Sequence, residues 1–265
     1  MNTTSSDIII LGAGLTGLTL AHKLQEQGRS VLVLEARDRI GGRIHTVNTS
    51  NGPRVEMGAT WYFQHFMNLF KLMTKFNVKL TEQFMKGYSI YDKRRVQSHG
   101  DSGMFRIKGG TGALVDSLHH SLDPGSVLLN KPVTEVKKNG SLVIVTTEDG
   151  EEYQGSILVS TLPPQLLHHS VRFSPALPPK LQRVMAATHT WMGDAVKAAV
   201  SYPRAWWRDS DLSGSVVTSR GPIAQFYDQS EPGTGSNSIS GVIILYPAQV
   251  AGAPSWVSWT TRPAP

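Results

Sequence analysis

A glycine pattern near the start of the chain constrains its fold more than any other feature. An apolar run at residues 8–11 stops at Gly12, and apolar residues at helical spacing follow from residue 15. Gly12, Gly14 and Gly17 therefore stand between a strand covered on both faces and a helix. In such a turn the first glycine permits the bend, the second admits a pyrophosphate, and the third lets the helix pack on the strand. The pattern predicts a strand, turn and helix whose helix start faces phosphate groups.

An acidic residue strengthens this interpretation, because the glycine pattern alone is a weak signal. Residues 31–34 form a second buried strand, and Glu35 closes it about twenty residues beyond the glycines. A carboxylate at that place can accept hydrogen bonds from ribose hydroxyl groups. The β-α-β unit with its closing acid predicts an α/β dinucleotide-binding domain.

Two further segments are much more specific. Residues 35–43 have the sequence Glu-Ala-Arg-Asp-Arg-Ile-Gly-Gly-Arg, and residues 56–61 have the sequence Glu-Met-Gly-Ala-Thr-Trp. With the glycine pattern, these segments resemble the flavin-containing amine oxidases, a family that includes monoamine oxidase, polyamine oxidase and L-amino-acid oxidases. The resemblance implies an α/β fold in which an FAD-binding Rossmann-like domain of the glutathione-reductase type is interleaved with an α+β substrate domain.

The resemblance also implies which residues hold FAD. Glu35 would bind the ribose, Arg37 and Arg43 the pyrophosphate region, and Val133 the adenine, while the turn at 58–60 would approach the isoalloxazine. The implied cofactor-binding residues are Gly12, Ala13, Gly14, Leu15, Thr16, Gly17, Glu35, Ala36, Arg37, Gly41, Gly42, Arg43, Gly58, Ala59, Thr60 and Val133.

A lysine further along the chain is the candidate for side-chain chemistry. Residues 193–198, followed by Trp-Trp-Arg at 206–208, resemble the family segment that carries a flavin-facing lysine. By that resemblance Lys197 is catalytic and holds a water molecule near flavin N5. Alternation along a strand places Lys197 on the face opposite to that of Val196 and Ala198.

Composition excludes several other classes of site. The sequence has no cysteine, so disulfides, thiolate metal sites, a cysteine nucleophile and a thioether to flavin inside this chain are ruled out, and we expect FAD to be held non-covalently. The histidine pairs at 119–120 and 168–169 point apart, and we expect no metal site. The net charge of +6 is spread thinly, so we expect no nucleic-acid partner. We also expect no membrane span and a soluble, cytoplasmic protein.

The remaining pattern predicts the order of elements and domains. We expect an amphipathic helix over 61–78, a β meander over 127–160 with turns at Asn139-Gly140 and Asp149-Gly150, and a second sheet. The strands of that sheet are predicted at 195–202, 214–218, 223–227 and 239–246. We assign residues 1–80 and 104–165 to two segments of the FAD-binding domain, 81–103 to a short substrate-domain link, and 166–265 to an incomplete substrate domain.

Two parts of the family pattern are missing. A long, largely helical insertion that lines the substrate cavity is expected between residues 80 and 105, and a carboxy-terminal third that returns to the flavin domain is absent as well. We therefore expect a truncated amine oxidase that passes a hydride from a small-molecule amine to flavin N5, with molecular oxygen as acceptor and peroxide as product. The alternatives are a non-catalytic remnant and a flavin desaturase or protoporphyrinogen-oxidase-like enzyme. Neither the substrate nor the oligomeric state follows from the sequence.

Overall fold

The computed structural model of the chain describes residues 4–48, 54–98, 103–193, 195–219, 224–230 and 238–244. Over these residues the largest sheet has seven strands, and its central strands are parallel. From one edge to the other the strands are β10 (Val127–Leu128), β2 (Val31–Leu34), β1 (Thr4–Leu11), β13 (Glu152–Ser160), β12 (Leu142–Thr147), β11 (Val133–Asn139) and β14 (Arg172–Ser174).

Strand β1 lies in the middle of this sheet and is buried on both faces, as the unbroken apolar run predicts. Ile8 and Ile10 pack into the hydrophobic cluster on one face, whereas Ile9 and Leu11 pack into the cluster on the other. All four side chains are at most 4% exposed, so this strand contributes to the core on both sides. The buried centre of the sheet holds the turn that follows Leu11 in a fixed place.

The helices pack around this sheet or join the strands. They are α1 (Leu15–Gln25), α2 (Met67–Lys75), α3 (Gly112–His120), α4 (Pro164–Ser170), α5 (Pro179–Ala187) and α6 (Trp206–Asp209). Helices α1 and α3 pack side by side, with Leu18 and Leu114 fully buried between them and the sheet. Helix α1 is followed by Gly28 with a φ of 73°, a left-handed conformation that glycine adopts without steric cost.

A second sheet combines strands from the end of the described chain with a hairpin from its middle. In spatial order its strands are β15 (Ala195–Ser201), β18 (Ser238–Ile244), β17 (Gln225–Asp228), β16 (Leu212–Val217), β7 (Tyr88–Tyr91) and β8 (Arg94–Gln97). Neighbouring strands are antiparallel except β16 and β7, which are parallel. The hairpin of β7 and β8 therefore extends a sheet built by residues more than a hundred positions later.

Two small sheets connect the larger ones and complete the fold. The first pairs β3 (Thr46–Asn48) with β4 (Arg54–Glu56), and the second has the order β5 (Tyr62–Phe63), β9 (Met104–Ile107) and β6 (Leu80–Glu82). Strand β4 runs into the segment at 58–60 and so brings it against the backbone of Arg43 and His45.

Most predicted elements are confirmed, but one helix and the β meander are wrong in their extent. The meander predicted over 127–160 consists of β11, β12 and β13, because β10 pairs in parallel with β2 at the other edge of the sheet. The two hairpin turns join β11 to β12 and β12 to β13, and the predicted second-sheet strands are found wherever they fall on described residues. Ile223 and residues 245–246 lie outside those residues. The helix predicted over 61–78 covers only Met67–Lys75, because Tyr62 and Phe63 pair as a strand with β9. Aromatic side chains favour such pairing.

The fold class is confirmed as mixed α/β, while the domain boundaries remain predictions. None of the helices in the described part of the chain has the length and apolar character needed to traverse a lipid bilayer.

Candidate functional site

The three glycines of the turn have the three environments that a pyrophosphate site requires. Gly12 has a φ of 100°, and a Cβ atom built on Gly17 would lie only 2.0 Å from the carbonyl oxygen of Gly12. A Cβ atom on Gly14 would approach nothing closer than 4.0 Å, so space remains above that backbone. Gly14 is also the N-cap of α1, and no described side chain caps this helix start. The N–H groups there, with the positive end of the helix dipole, can bind an anion.

Glu35 is buried and points back to the turn. Its Oε2 atom accepts a hydrogen bond from the Ala13 N–H at 2.8 Å, and its Oε1 atom accepts one from the Arg37 N–H at 3.0 Å. Each carboxylate oxygen can accept a second hydrogen bond, so the group can still bind ribose hydroxyls. The Glu35 carbonyl accepts from the Lys131 N–H at 2.8 Å, which brings the half-buried Val133 at the start of β11 to the same end of the site.

The loop at 41–43 joins the glycine turn to the turn at 58–60. The Gly41 N–H donates to the Ala13 carbonyl at 2.8 Å, and the Ala59 N–H donates to the Arg43 carbonyl at 3.1 Å. A Cβ atom on Gly58 would lie 2.1 Å from that same Arg43 oxygen, so only glycine fits there. Three separate segments predicted to bind the cofactor are therefore brought together around one stretch of backbone.

Arginine side chains surround this loop in two different ways. Arg37 and Arg43 are exposed, and each makes one long hydrogen bond, to the carbonyls of Gly42 at 3.3 Å and Trp191 at 3.5 Å. Arg39 is half-buried instead, and its guanidinium donates to the carbonyls of Ile40, Gly42 and Ile44 at 3.0–3.2 Å. Arg39 thus shapes the loop, a role that the sequence analysis missed although the residue lies inside the recognised run.

Lys197 extends from β15 in the second sheet to the turn at 58–60. Its Nζ atom donates to the Gly58 carbonyl at 3.0 Å and to the Thr60 hydroxyl, and it lies 5.4 Å from the centre of the Trp61 ring. As predicted, its neighbour Val196 points to the opposite, exposed face. The pKa of Lys197 is lowered to about 8, chiefly by burial and in smaller part by the charge of Arg106, while the carboxylate of Glu56 raises it in opposition. A largely buried amine that can lose its proton near neutral pH suits proton handling.

Trp61 is held by a buried amide that the sequence analysis did not identify. Gln83, 2% exposed, accepts a hydrogen bond from the Trp61 indole N–H at 2.9 Å and donates one to the Asp228 carbonyl at 2.6 Å. The Trp61 ring also packs edge to face against Tyr227, with ring centres 4.6 Å apart. The stretch around Gln83 has a weak sequence pattern, so nothing in it signalled this role.

The histidine pairs lie in the last turns of α3 and α4, away from these contacts. Within the described ranges, no three or more His, Cys, Asp or Glu side chains form a cluster that could hold a metal ion.

The sequence of the chain also matches a known protein family. The family model described as "Flavin containing amine oxidoreductase" matches residues 15–99 and 88–249. The chain belongs to that family. The two matched pieces overlap at residues 88–99, inside the stretch where the family's insertion was expected to be missing.

Curated relatives include the flavin-containing amine oxidases B and A of Sus scrofa, which are 23% and 22% identical over 92% and 90% of this chain. The alignments cover 66% and 64% of those relatives, so the chain spans just under two thirds of their length. The alignment to amine oxidase B runs over 349 residues, whereas 92% of this chain is about 244 residues. About a hundred positions of that relative therefore have no counterpart within the aligned part of the chain.

Solved structures of similar fold include a putrescine oxidase bound to putrescine, with a TM-score of 0.82 and 20% identity over 92% of this chain and 76% of that one. A cyclohexylamine oxidase from Brevibacterium oxydans gives a TM-score of 0.77 and 18% identity over 90% and 75% of the two chains. This chain shares their fold.

Proposed function

We propose that this chain is an FAD-dependent oxidase of small-molecule amines. The observation that carries the proposal is the contact of Lys197 with Gly58 and Thr60. That contact brings a half-buried amine from the second sheet to the turn that, by family resemblance, approaches the isoalloxazine. The alignment to amine oxidases of the same family supports an amine as substrate.

The residues of the turn and of its neighbours fit FAD. The open space above Gly14 and the uncapped start of α1 would receive the pyrophosphate, with the exposed guanidinium of Arg43 beside it. Glu35 would accept hydrogen bonds from ribose hydroxyls through the lone pairs that its backbone contacts leave. The absence of cysteine from the sequence means that no thioether from this chain would hold the flavin.

When bound, FAD supplies the hydride acceptor for the substrate C–H bond, and molecular oxygen is the proposed final acceptor, with peroxide as product. The protein's part is to bind, orient and handle protons. Lys197 would hold a water molecule at its ammonium and exchange a proton with it, because burial brings its pKa to about 8. Trp61 limits where that ammonium can lie, since Gln83 fixes the indole ring.

A non-catalytic remnant is the second candidate, favoured by large apolar side chains that are exposed beside the site. Trp191 is 76% exposed, and Val196 and Val200, on the face of β15 away from Lys197, are 42% and 45% exposed. A chain with such uncovered surface would self-associate or need a partner. Sedimentation velocity tests this candidate, because a compact monomer at micromolar concentration would argue strongly against it.

The visible absorption spectrum tests the proposed function directly. The purified chain, incubated with FAD and desalted, should keep the flavin absorption bands, and an amine added without oxygen should bleach them. A panel of primary, secondary and diamine substrates would then define the substrate class. A protein that retains no flavin would overturn the proposal, and one that retains flavin but is bleached by no amine would favour a desaturase-like enzyme.

Lys197→Met separates binding from chemistry. This variant should retain FAD but show slower amine-dependent bleaching or slower reoxidation, because the proton-exchanging amine is lost. Lys180→Met, which changes an exposed lysine of α5, is the matched control and should behave as wild type. Equal rates in both variants would remove Lys197 from the mechanism.

A further inference from the structure

Glu56 is a buried acid that the predicted cofactor contacts do not use. It ends strand β4 and is 6% exposed. Its Oε1 atom accepts hydrogen bonds from the Thr46 hydroxyl and the Thr111 N–H, both at 2.8 Å, and its own N–H donates to Gln229 Oε1 at 3.1 Å. Contacts from three different segments therefore fix the position of this carboxyl group.

The second oxygen of the same group has no such partner. Among the described residues, nothing donates a hydrogen bond to Glu56 Oε2, although this atom is shielded from solvent. A buried carboxylate oxygen without a donor costs free energy unless a water molecule or a nearby cation compensates it. A small cavity touches Glu56 and has room for about one water molecule.

The same cavity lies between Glu56 and Thr60, a residue that Lys197 contacts. Thr60 and Arg106 form other parts of its wall, and Thr60 is the residue whose hydroxyl accepts a hydrogen bond from Lys197. Glu56 interacts electrostatically with two cations, the half-buried Lys197 from β15 and the buried Arg106 from β9, and it also lies near the buried phenol of Tyr62 on β5. A buried ammonium needs a compensating charge to remain protonated.

We propose that Glu56 is a positioning residue for Lys197: its carboxylate shares a cavity with Thr60, the hydroxyl partner of Lys197, and compensates the charge that Lys197 carries at the site. Arg106 acts in the opposite direction, so the balance of these two groups determines when Lys197 gives up its proton. The local electrostatics of Glu56 have the same directions, since burial raises its pKa while the hydrogen bonds from Thr46 and Thr111 and then the charges of the two cations lower it in part. The significance of this arrangement for amine oxidation rests on the proposed function, whereas the arrangement itself does not.

Nuclear magnetic resonance of the full chain tests the proposal without any cofactor. With lysine labelled at ¹³Cε, the Lys197 signal is assigned by its loss in Lys197→Met and followed from pH 6 to pH 11. The wild-type midpoint should lie near 8. Glu56→Gln keeps the shape and one accepting oxygen but removes the charge, and it should lower the midpoint by about one pH unit or more. Arg106→Gln should raise the midpoint.

Controls keep the outcomes distinct. Glu152→Gln removes an exposed carboxylate of β13, so its midpoint should equal that of wild type. If circular dichroism shows that Glu56→Gln does not fold, Glu56→Asp retains the charge but withdraws it by one methylene, and a smaller lowering is expected. A midpoint unchanged by the folded Glu56 variant would overturn the proposal. If wild type failed to retain FAD, the proposed function would be contradicted. The proposal for Glu56 would not be affected, because this titration is made on the cofactor-free chain.

Discussion

Single residues of the glycine turn differ in what a methyl group would meet. At Gly14 the backbone angles, φ −75° and ψ 177°, suit any residue, and an added Cβ atom has space around it. At Gly17 the added Cβ atom would collide with the Gly12 carbonyl. The two positions therefore separate the requirement of a ligand from the requirement of the fold.

We expect Gly14→Ala to lose cofactor and Gly17→Ala to lose stability. The free energy of unfolding of Gly14→Ala should lie within about 1 kcal/mol of the wild-type value. The variant should bind FAD at least tenfold more weakly, because the methyl group occupies the space for the pyrophosphate. Gly17→Ala should lose about 1–3 kcal/mol despite the better helix propensity of alanine. Urea unfolding and fluorescence titration with FAD measure both. Equal affinity of Gly14→Ala and wild type would contradict the assigned phosphate position.

The pH dependence of stability reports on Lys197. Its pKa is about 8 in the folded chain and 10.5 ordinarily, so between these values the unfolded chain holds a proton that the folded chain lacks. The titration of Lys197 therefore makes the free energy of unfolding rise with pH over that window, by about 3 kcal/mol at most. Below pH 8 the titration adds no such gain. We expect the free energy of unfolding of wild type, relative to that of Lys197→Met, to increase from pH 8 to pH 10. Parallel curves would show that Lys197 is solvated, and Lys180→Met should follow wild type.

At the scale of elements, one amide connects separate parts of the chain. Gln83 directly follows β6 and accepts a hydrogen bond from the indole N–H of Trp61, just before β5. It donates a hydrogen bond to the Asp228 carbonyl at the end of β17. It therefore joins the small sheet to the second large sheet.

Gln83→Leu should loosen this junction. The change leaves a buried indole N–H and a buried carbonyl without their partners, and we expect a loss of about 2–4 kcal/mol in urea unfolding, with altered tryptophan fluorescence. Gln97→Leu, on the exposed strand β8, is the matched control and should change stability by less than about 0.5 kcal/mol. A small effect of Gln83→Leu would mean that water replaces the lost contacts.

Elements whose signal is local could be predicted from the sequence, and those fixed by distant partners could not. The glycine turn, β1 and the hairpin turns carry their own glycines and apolar runs, and strand alternation was enough to orient Lys197. The strand at Tyr62 and Phe63 exists because β9 pairs with it, and β9 lies about forty residues further on. Gln83 is buried by residues from two other sheets, so its own neighbours in the sequence could not reveal its role.

The predicted FAD site contains residues from both large sheets. Glu35 and the glycine turn come from the first, whereas Lys197 comes from the second. A ligand that spans the site should therefore stabilise the two sheets together.

FAD should raise the melting temperature more than ADP at equal concentration. ADP can occupy only the end formed by the glycine turn and Glu35, whereas FAD also reaches the turn that Lys197 contacts. At a hundredfold excess over its Kd, FAD should add about 2.7 kcal/mol, or roughly 5–10 °C for a chain of this size. Thermal melts at several FAD concentrations provide the measurement, with Gly14→Ala as a control whose melting temperature should rise less at each concentration. Equal shifts with ADP and FAD would show that the second sheet takes no part in binding.

The central position of β1 also matters during synthesis. One of its neighbours, β2, follows within about twenty residues, but the other, β13, pairs Ser160 with Leu11 and is made about 150 residues after β1. At about 5–20 residues per second, the ribosome needs roughly 10–30 s to reach it. Throughout that interval one edge of the nascent nucleotide-binding unit has unpaired backbone groups and uncovered isoleucines. The chain should therefore depend on chaperones most strongly while its middle is being translated.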